Sequence, residues 1–308
     1  MPNRISEEYR EEVSVKLIEA LERGTAPWQR PWTIENMPFN ASTGKYYQGM
    51  NSILLSIEGG RLSRNSGQGD PRWVTRKQAE KKGWSVKNGA KPVEINVFVA
   101  NRPKKNGGFP SKRIKYIQSE AEKKQNGRPF RLIFDIYHAS QIKGISDFVG
   151  LNADLKTKRE KVLNNRVIDK IIFNASARVY EGGSKAYFSK CDDIIRVPSK
   201  EYFNDTESYY ATLLHELAHW TGHRSRLNRT GSYAHEELVA EIASMFLTAE
   251  FGIAQTQEHF EQHAAYVNSW SRLLRHDPNE IFVAAKEARK AANYILMFKE
   301  KDEVKLAC

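Results

Sequence analysis

The run Leu213-Leu214-His215-Glu216-Leu217-Ala218-His219 constrains this chain more than any other stretch. Its residues favour a helix, and at about 100° per residue two positions four apart lie about 40° apart on one face. His215 and His219 are therefore spaced to grip one metal ion, with Glu216 off to the side where a metal-bound water would sit. In the chemistry this spacing serves, zinc lowers the pKa of that water, Glu216 takes its proton, and the hydroxide attacks a carbonyl. The first expectation is a zinc-dependent peptidase site.

The surroundings of the motif sharpen that expectation. Tyr210, Leu213, Leu214 and Leu217 form an i, i+3, i+4, i+7 stripe, and the midpoint of the two histidines falls about 170° from its centre. The histidines thus turn away from the apolar face, either exposed or facing a cleft. A zinc site of this type needs one more protein ligand and an open position. A second helix is expected from Glu236 to Phe251, with Leu238, Val239, Ile242 and Phe246 on one side and Glu237, Glu241 and Ser244 opposite. His235 and Glu236 are rival ligands if that helix is rotated. Tyr233, just before it, is placed to hydrogen-bond a developing oxyanion, or else to pack. The pattern H-E-x-x-H-x-x-G-x-x-H is met at Gly222 but has Ser225 where a third histidine belongs. His223 follows the expected helix end at Gly222 and reads as a surface residue. His259 and His263 lack a neighbouring acid and read as a surface pair. Neither a G-x-x-x-x-G-K-[ST] loop nor a G-x-G-x-x-G fingerprint occurs, so nucleotide hydrolysis and dinucleotide binding have no support.

A chain of 308 residues is long enough for two domains. Mean hydropathy is −0.63, and no apolar run approaches the roughly 18 residues of a membrane helix, so a soluble protein is expected with no membrane partner. The N-terminus lacks the apolar core of a signal peptide. The two cysteines, Cys191 and Cys308, cannot build a disulfide framework, and the default location is the cytoplasm.

The net charge of +11 is unevenly placed. Residues 1–150 hold 26 Lys+Arg against 15 Asp+Glu, whereas residues 151–308 hold 22 of each. Trp28, Trp32, Trp73 and Trp84 also lie in the basic half. Cations that follow phosphates and rings that stack on unpaired bases are what single-stranded nucleic acid requires. A solvated basic surface over core tryptophans is the competing explanation.

Along the chain, Ile5 to Arg23 reads as an amphipathic helix with Val13, Leu17, Ile18 and Leu21 inward. Thr25 to Trp32 is a proline-restricted segment, a packing loop or a stacking platform. Asn40 to Asn51 reads as a turn and a short strand leading into a helix from Asn51, with Asn51 as its cap. A helix capped by Thr75 crowds Arg76, Lys77, Lys81 and Lys82 onto its exposed side. Val93 to Val99 and Phe130 to Tyr137 are strands, separated by a basic loop at Asn101 to Arg113. Ala186 to Val197 reads as a hairpin or edge strand beside the metal helix, and Ala264 to Leu274 and Ile281 to Phe298 as helices packed behind it. A boundary is expected between Gly144 and Lys170, in or near the charged stretch Asp154 to Arg166.

The run from Ala26-Pro27-Trp28 through Tyr47-Gln48-Gly49-Met50-Asn51, then Trp73-Val74-Thr75 and Lys77-Gln78-Ala79, resembles the N-terminal domain of the ArdC antirestriction family, found also in some plasmid primases. Ala186-Tyr187, Asp192-Asp193-Ile194, the H-E-x-x-H and Glu236 to Glu241 resemble the zincin-like metallopeptidase domain that follows it. The resemblance covers nearly the whole chain. It implies an α+β protein with a basic domain over 1–150 that binds single-stranded DNA and a zincin-like domain over 151–308. It further implies a plasmid-encoded factor that protects incoming conjugative DNA from host restriction. The E-x-x-x-E of the second helix is similar to the E-x-x-x-D of gluzincin peptidases. That likeness implies Glu237 as third ligand of a Zn2+ ion, or another divalent metal, with Glu241 orienting a ligand histidine. Candidate DNA contacts are Trp28, Trp32, Tyr46, Tyr47, Trp73, Arg76 and Lys77. A host restriction or DNA-handling protein is the implied peptidase substrate. Two alternatives stay open: a DNA-binding protein whose metal is only structural, and a metal-dependent nuclease, for which two histidines and a glutamate fit poorly.

Overall fold

A computed structural model describes residues 7–22, 37–62, 70–99, 130–148, 158–253 and 268–299. The elements in chain order begin with α1 (Glu7–Glu22), β1 (Phe39–Asn40), α2 (Met50–Leu62), β2 (Arg72–Thr75), α3 (Arg76–Lys81) and β3 (Ser85–Val86). They continue with β4 (Val93–Val99), β5 (Phe130–His138), β6 (Ile142–Lys143), α4 (Lys158–Ala175), β7 (Val179–Glu181), β8 (Tyr187–Ser189) and β9 (Ile194–Val197). The helix carrying the H-E-x-x-H is α5 (Thr206–Thr221), followed by α6 (Tyr233–Phe251), α7 (268–276) and α8 (Glu280–Leu296). The fold class is mixed helix and sheet, as expected.

The chain forms two compact units: Met1–Val13, Pro38–Tyr47 and Asn51–Phe148 make the first, and Ser14–Met37, Gln48–Met50 and Val149–Cys308 the second. In the first, a four-stranded sheet runs in the order β1-β2-β5-β4, with β1 parallel to β2 and the other pairs antiparallel. Burial sets its register: Trp73 and Val74 on β2 and Leu132 and Ile136 on β5 are all inside. The short helix α3 exists because its N-terminus is closed by a capping box. The Thr75 hydroxyl accepts from the Gln78 N–H at 3.2 Å, and the Gln78 side chain accepts from the Thr75 N–H at 3.0 Å. Asn51 is not a cap. It sits inside α2, where its amide brackets the Asn96 backbone on β4, donating to the carbonyl at 2.8 Å and accepting from the N–H at 3.3 Å. A polar side chain that serves a neighbouring strand has no local sequence signature.

In the second unit a three-stranded sheet has the order β7-β9-β8. The Ala186 to Val197 hairpin forms as expected, but β9 is central rather than an edge, because β7 adds to its far side in parallel. Ile195 and Val197 of β9 are fully buried against Leu213, Leu214 and Leu217 of α5. On its other flank α5 packs against α6, and α6 against α8. The alanines of α8, Ala284, Ala285, Ala288, Ala291 and Ala292, are all buried, and their small side chains permit a close helix approach. The expectation that the histidines turn from the core holds for the stripe itself. The helix is nevertheless covered on both sides, since His215 and Glu216 are only 5% and 6% exposed.

Candidate metal centre

Two capped helices set the site. Asp205 accepts from the Ser208 N–H at 2.6 Å to start α5, and Ser232 accepts from the His235 N–H at 3.2 Å to start α6. Tyr233 is thus the first residue of α6 rather than one preceding it. Across the helix pair, His215, His219 and Glu237 bring ligand atoms within 4.8 Å of one another. The two Nε2 atoms are 3.1 Å apart, and the Glu237 carboxylate lies 3.7 Å from that of His215 and 3.6 Å from that of His219.

The donor chemistry of these residues fits a divalent cation. Two imidazole nitrogens this close cannot face each other with bare lone pairs, so a proton or a cation must lie between them. Tetrahedral zinc, with bonds of about 2.0–2.1 Å, separates its ligand nitrogens by about 3.3 Å. Each Nδ1 is backed by a carboxylate: Glu241 at 3.4 Å behind His215, and Glu236 accepting from His219 at 3.3 Å. The hydrogen bond to Glu236 directs the His219 Nε2 at the centre. The electrostatics agree. Burial works against charge on the His219 ring, but the Glu236 and Glu237 carboxylates outweigh it and raise its pKa to about 10. Burial likewise opposes ionisation of Glu236, yet His219 and Arg229 bring it down to about 2, and the histidines hold Glu237 well below the usual carboxylate range. The carboxylates thus stay ionised beside the imidazoles.

A cleft of about 820 Å³ opens onto it, lined among others by Glu216, Glu237, Tyr187, Phe188, Phe203 and Tyr233. Tyr233 stands 67% exposed along this wall. Of the rival ligands, His235 is turned away, its ring nitrogens 2.6 Å from Glu280 and 3.2 Å from Glu287 on α8. Glu236 faces the Nδ1 side of His219. His223, expected at the surface, is partly buried: its Nδ1 bonds the Ser225 hydroxyl at 2.7 Å and its ring stands edge-on to Phe188. Arg229, which pairs with Glu236, was not legible from sequence, because nothing in the 222–232 loop marks one arginine as buried.

The candidate DNA contacts separate. Trp28 and Trp32 lie outside the described residues, as do the Asn101 to Arg113 loop, His259, His263 and Cys308. Trp73 is 1% exposed and edge-on to His138 at 4.9 Å between ring centroids, a packing role that leaves no face for a base. Tyr47 is partly buried, its hydroxyl accepting from Asn40 at 3.2 Å, and burial pushes its pKa up to about 12. Tyr46 is 36% exposed. Arg76 and Lys77 are exposed on α3, with the Arg76 guanidinium 5.3 Å over the Tyr137 ring. The Asn40 amide also reaches Gln78 at 3.0 Å, tying the Tyr46–Tyr47 turn to α3.

Residues 166–287 match the model of a zincin-like metallopeptidase, and residues 7–136 that of the N-terminal domain of anti-restriction factor ArdC. The crystal structure of the antirestriction protein ArdC from plasmid R388 in its Mn(II)-bound form is 31% identical. The similarity covers 96% of this chain and 99% of that one, with a TM-score of 0.71. The chain belongs to the ArdC antirestriction family. The metal-free crystal structure of R388 ArdC is similar at 29% identity and a TM-score of 0.69, over 94% of this chain and 97% of that one. Among curated relatives, two DNA primases TraC of Escherichia coli are 36% and 37% identical over 96% and 95% of this chain. The chain spans only 28% and 20% of their lengths. Among the described residues, no helix is long and apolar enough to cross a membrane.

Proposed function

We propose that this ArdC-family protein binds single-stranded DNA through residues 1–150 and carries a divalent-metal peptidase site in residues 151–308. It thereby protects incoming conjugative DNA from host restriction. The observation that carries the catalytic part is the placement of Glu216 on the cleft wall beside His215, His219 and Glu237. When bound, the cation supplies Lewis acidity to a water and to a substrate carbonyl. The imidazoles and Glu237 would hold it, and zinc suits a nitrogen-rich set of this size. The R388 relative is described with Mn(II), so the ion taken up in the cell is decided by metal analysis. Glu216 accepts and returns the proton, Tyr233 donates to an oxyanion from the cleft wall, and the aromatic lining excludes water from the reacting face. A host restriction or DNA-handling protein in the cytoplasm is the proposed substrate.

The DNA-binding part is supported by the charge asymmetry and by Tyr46, Arg76 and Lys77 lying exposed on one linked turn-and-helix segment. One observation favours a second reading. His215 and Glu241 are 5% and 1% exposed, so a cation there also ties α5 to α6 and could serve stability alone. Replacing Glu216 separates the two. Glu216→Ala is expected to keep metal content and DNA binding while losing about 10²–10⁴-fold in peptide hydrolysis. Conjugation into a restricting recipient, with the recipient proteome compared between native and variant, reads the outcome. Undiminished protection by the variant defeats the peptidase mechanism and leaves the structural reading.

A further inference from the structure

We propose that Glu236, braced by Arg229, is the positioning residue for His219. It would fix the Nδ1–H tautomer and the ring orientation that present Nε2 to the metal. The inference rests on the metal-centre reading above and extends it to a pair of residues outside the ligand set.

Arg229 is the unusual feature. It lies in the segment between α5 and α6, yet it is only 8% exposed. A buried guanidinium is costly unless its donors are matched in place. Here Nε and Nη2 donate to the two Glu236 oxygens at 3.1 and 2.6 Å. Nη1 donates to the Thr221 hydroxyl at 2.6 Å, and Nη2 also to the Ala218 carbonyl at 2.8 Å. Ala218 and Thr221 flank His219 on the last turn of α5, so the fork is referenced to the very turn that carries the ligand. The same Glu236 oxygen that takes the 2.6 Å bond accepts from His219 Nδ1 at 3.3 Å. The result is one rigid path from helix backbone to arginine to carboxylate to imidazole.

Gly222 makes room for it. A Cβ there would stand 2.8 Å from Arg229 Nη2 and 3.0 Å from Glu236 Oε1, and its φ of −76° asks for no glycine. The glycine is needed for space rather than for backbone freedom. Glu241, further along α6, stands 3.4 Å from His215 Nδ1. The carboxylate behind His219 is held by a guanidinium from the segment between the two helices.

The competing explanation is that Arg229 and Glu236 merely tie the 222–232 segment down. It predicts lost stability and unchanged metal affinity in the folded protein. Zn2+ affinity of the full chain is measured by chelator competition for the native protein, Glu236→Gln, Arg229→Met, Arg229→Lys and Glu237→Gln. Metal-free circular dichroism checks that each is folded, and Co2+ absorption spectra report ligand geometry. Glu236→Gln and Arg229→Met are expected to weaken Zn2+ binding about 10–100-fold with stoichiometry retained and to shift the Co2+ bands. Arg229→Lys, which keeps charge but not the fork, should fall between. Glu237→Gln should abolish stoichiometric binding. Affinity and spectra unchanged in a folded Glu236→Gln protein overturn the proposal. Loss as complete as in Glu237→Gln also overturns it, by making Glu236 a ligand. Failure of the native protein to bind Zn2+ or Co2+ defeats the metal-centre reading itself, and the proposal with it.

Discussion

Gly222 shows how much a single missing methyl can decide. Alanine is compatible with its backbone angles, but the added carbon would meet Arg229 and Glu236 inside contact distance. Gly222→Ala is therefore expected to cost about 1–3 kcal/mol of stability through overpacking, and to loosen the carboxylate behind His219. Urea unfolding of the metal-free protein checks the first consequence, and unchanged midpoints would mean that the arginine moves aside cheaply. His138 carries a second residue-level prediction. Its Nε2–H donates to the Asp70 carbonyl at 2.6 Å, and its Nδ1 accepts from the Ser140 N–H at 3.2 Å. Both ring nitrogens are thus used by the neutral form, and a second proton at Nδ1 would break the contact with the Ser140 N–H. Burial lowers its pKa from 6.5, opposed by the Asp70 backbone contact. The unfolded chain therefore takes up the proton first as pH falls below 6.5. The contribution of this group to stability is complete above that value and declines on acidification toward the lower folded-state pKa. Unfolding midpoints of native and His138→Gln protein should converge as pH falls from 7 to 5, with the shallower slope in the variant. Parallel slopes would rule His138 out as the source.

At the scale of elements, α3 depends on its cap. Thr75→Ala removes one half of a reciprocal pair and should cost about 1 kcal/mol. Because Gln78 also holds Asn40 at 3.0 Å, the Tyr46–Tyr47 turn should loosen with it, which hydrogen exchange of the 40–47 amides would detect. This element was legible in advance, since Thr75 and Gln78 form a local signal. So were β4, β5, α8 and the paired helices α5 and α6, where the spacing of apolar residues gives the element. What escaped the sequence were relations between distant positions. The parallel addition of β7 made β9 central, Asn51 turned to a strand 45 residues away, and a buried arginine entered from a loop. The structure brings the three candidate ligands together; two of them sit on one helical turn, and the third follows from the likeness of E-x-x-x-E to the gluzincin pattern. Glu236 was ambiguous by rotation alone, since it lies about 100° from Glu237 around the helix axis. Only the packed pair α5 and α6 decides which histidine nitrogen it meets.

For the whole molecule, the charge excess of residues 1–150 makes binding to single-stranded DNA an ionic-strength experiment. The logarithm of affinity should fall linearly with that of salt, by about 0.7 per phosphate neutralised. Arg76→Ala or Lys77→Ala in the full chain should each reduce the slope by about that amount. A slope unaffected by either places the contact elsewhere. The second unit has its own dependence on sequence far upstream. The Ser14 hydroxyl donates to the Pro278 carbonyl at 2.9 Å across 264 positions, and Arg275 pairs with Glu22. A fragment of residues 151–308 should accordingly melt below the corresponding transition of the full chain, by a few degrees for each kcal/mol lost. Equal melting would make those contacts energetically silent. The same contacts bear on how the protein is born. Residues 14–22 leave the ribosome before their partners at 275–278, which emerge only after some 250 further residues have been made. The earlier segment therefore waits through the synthesis of all that lies between, and these contacts of the second unit close only once residues 275–278 have emerged.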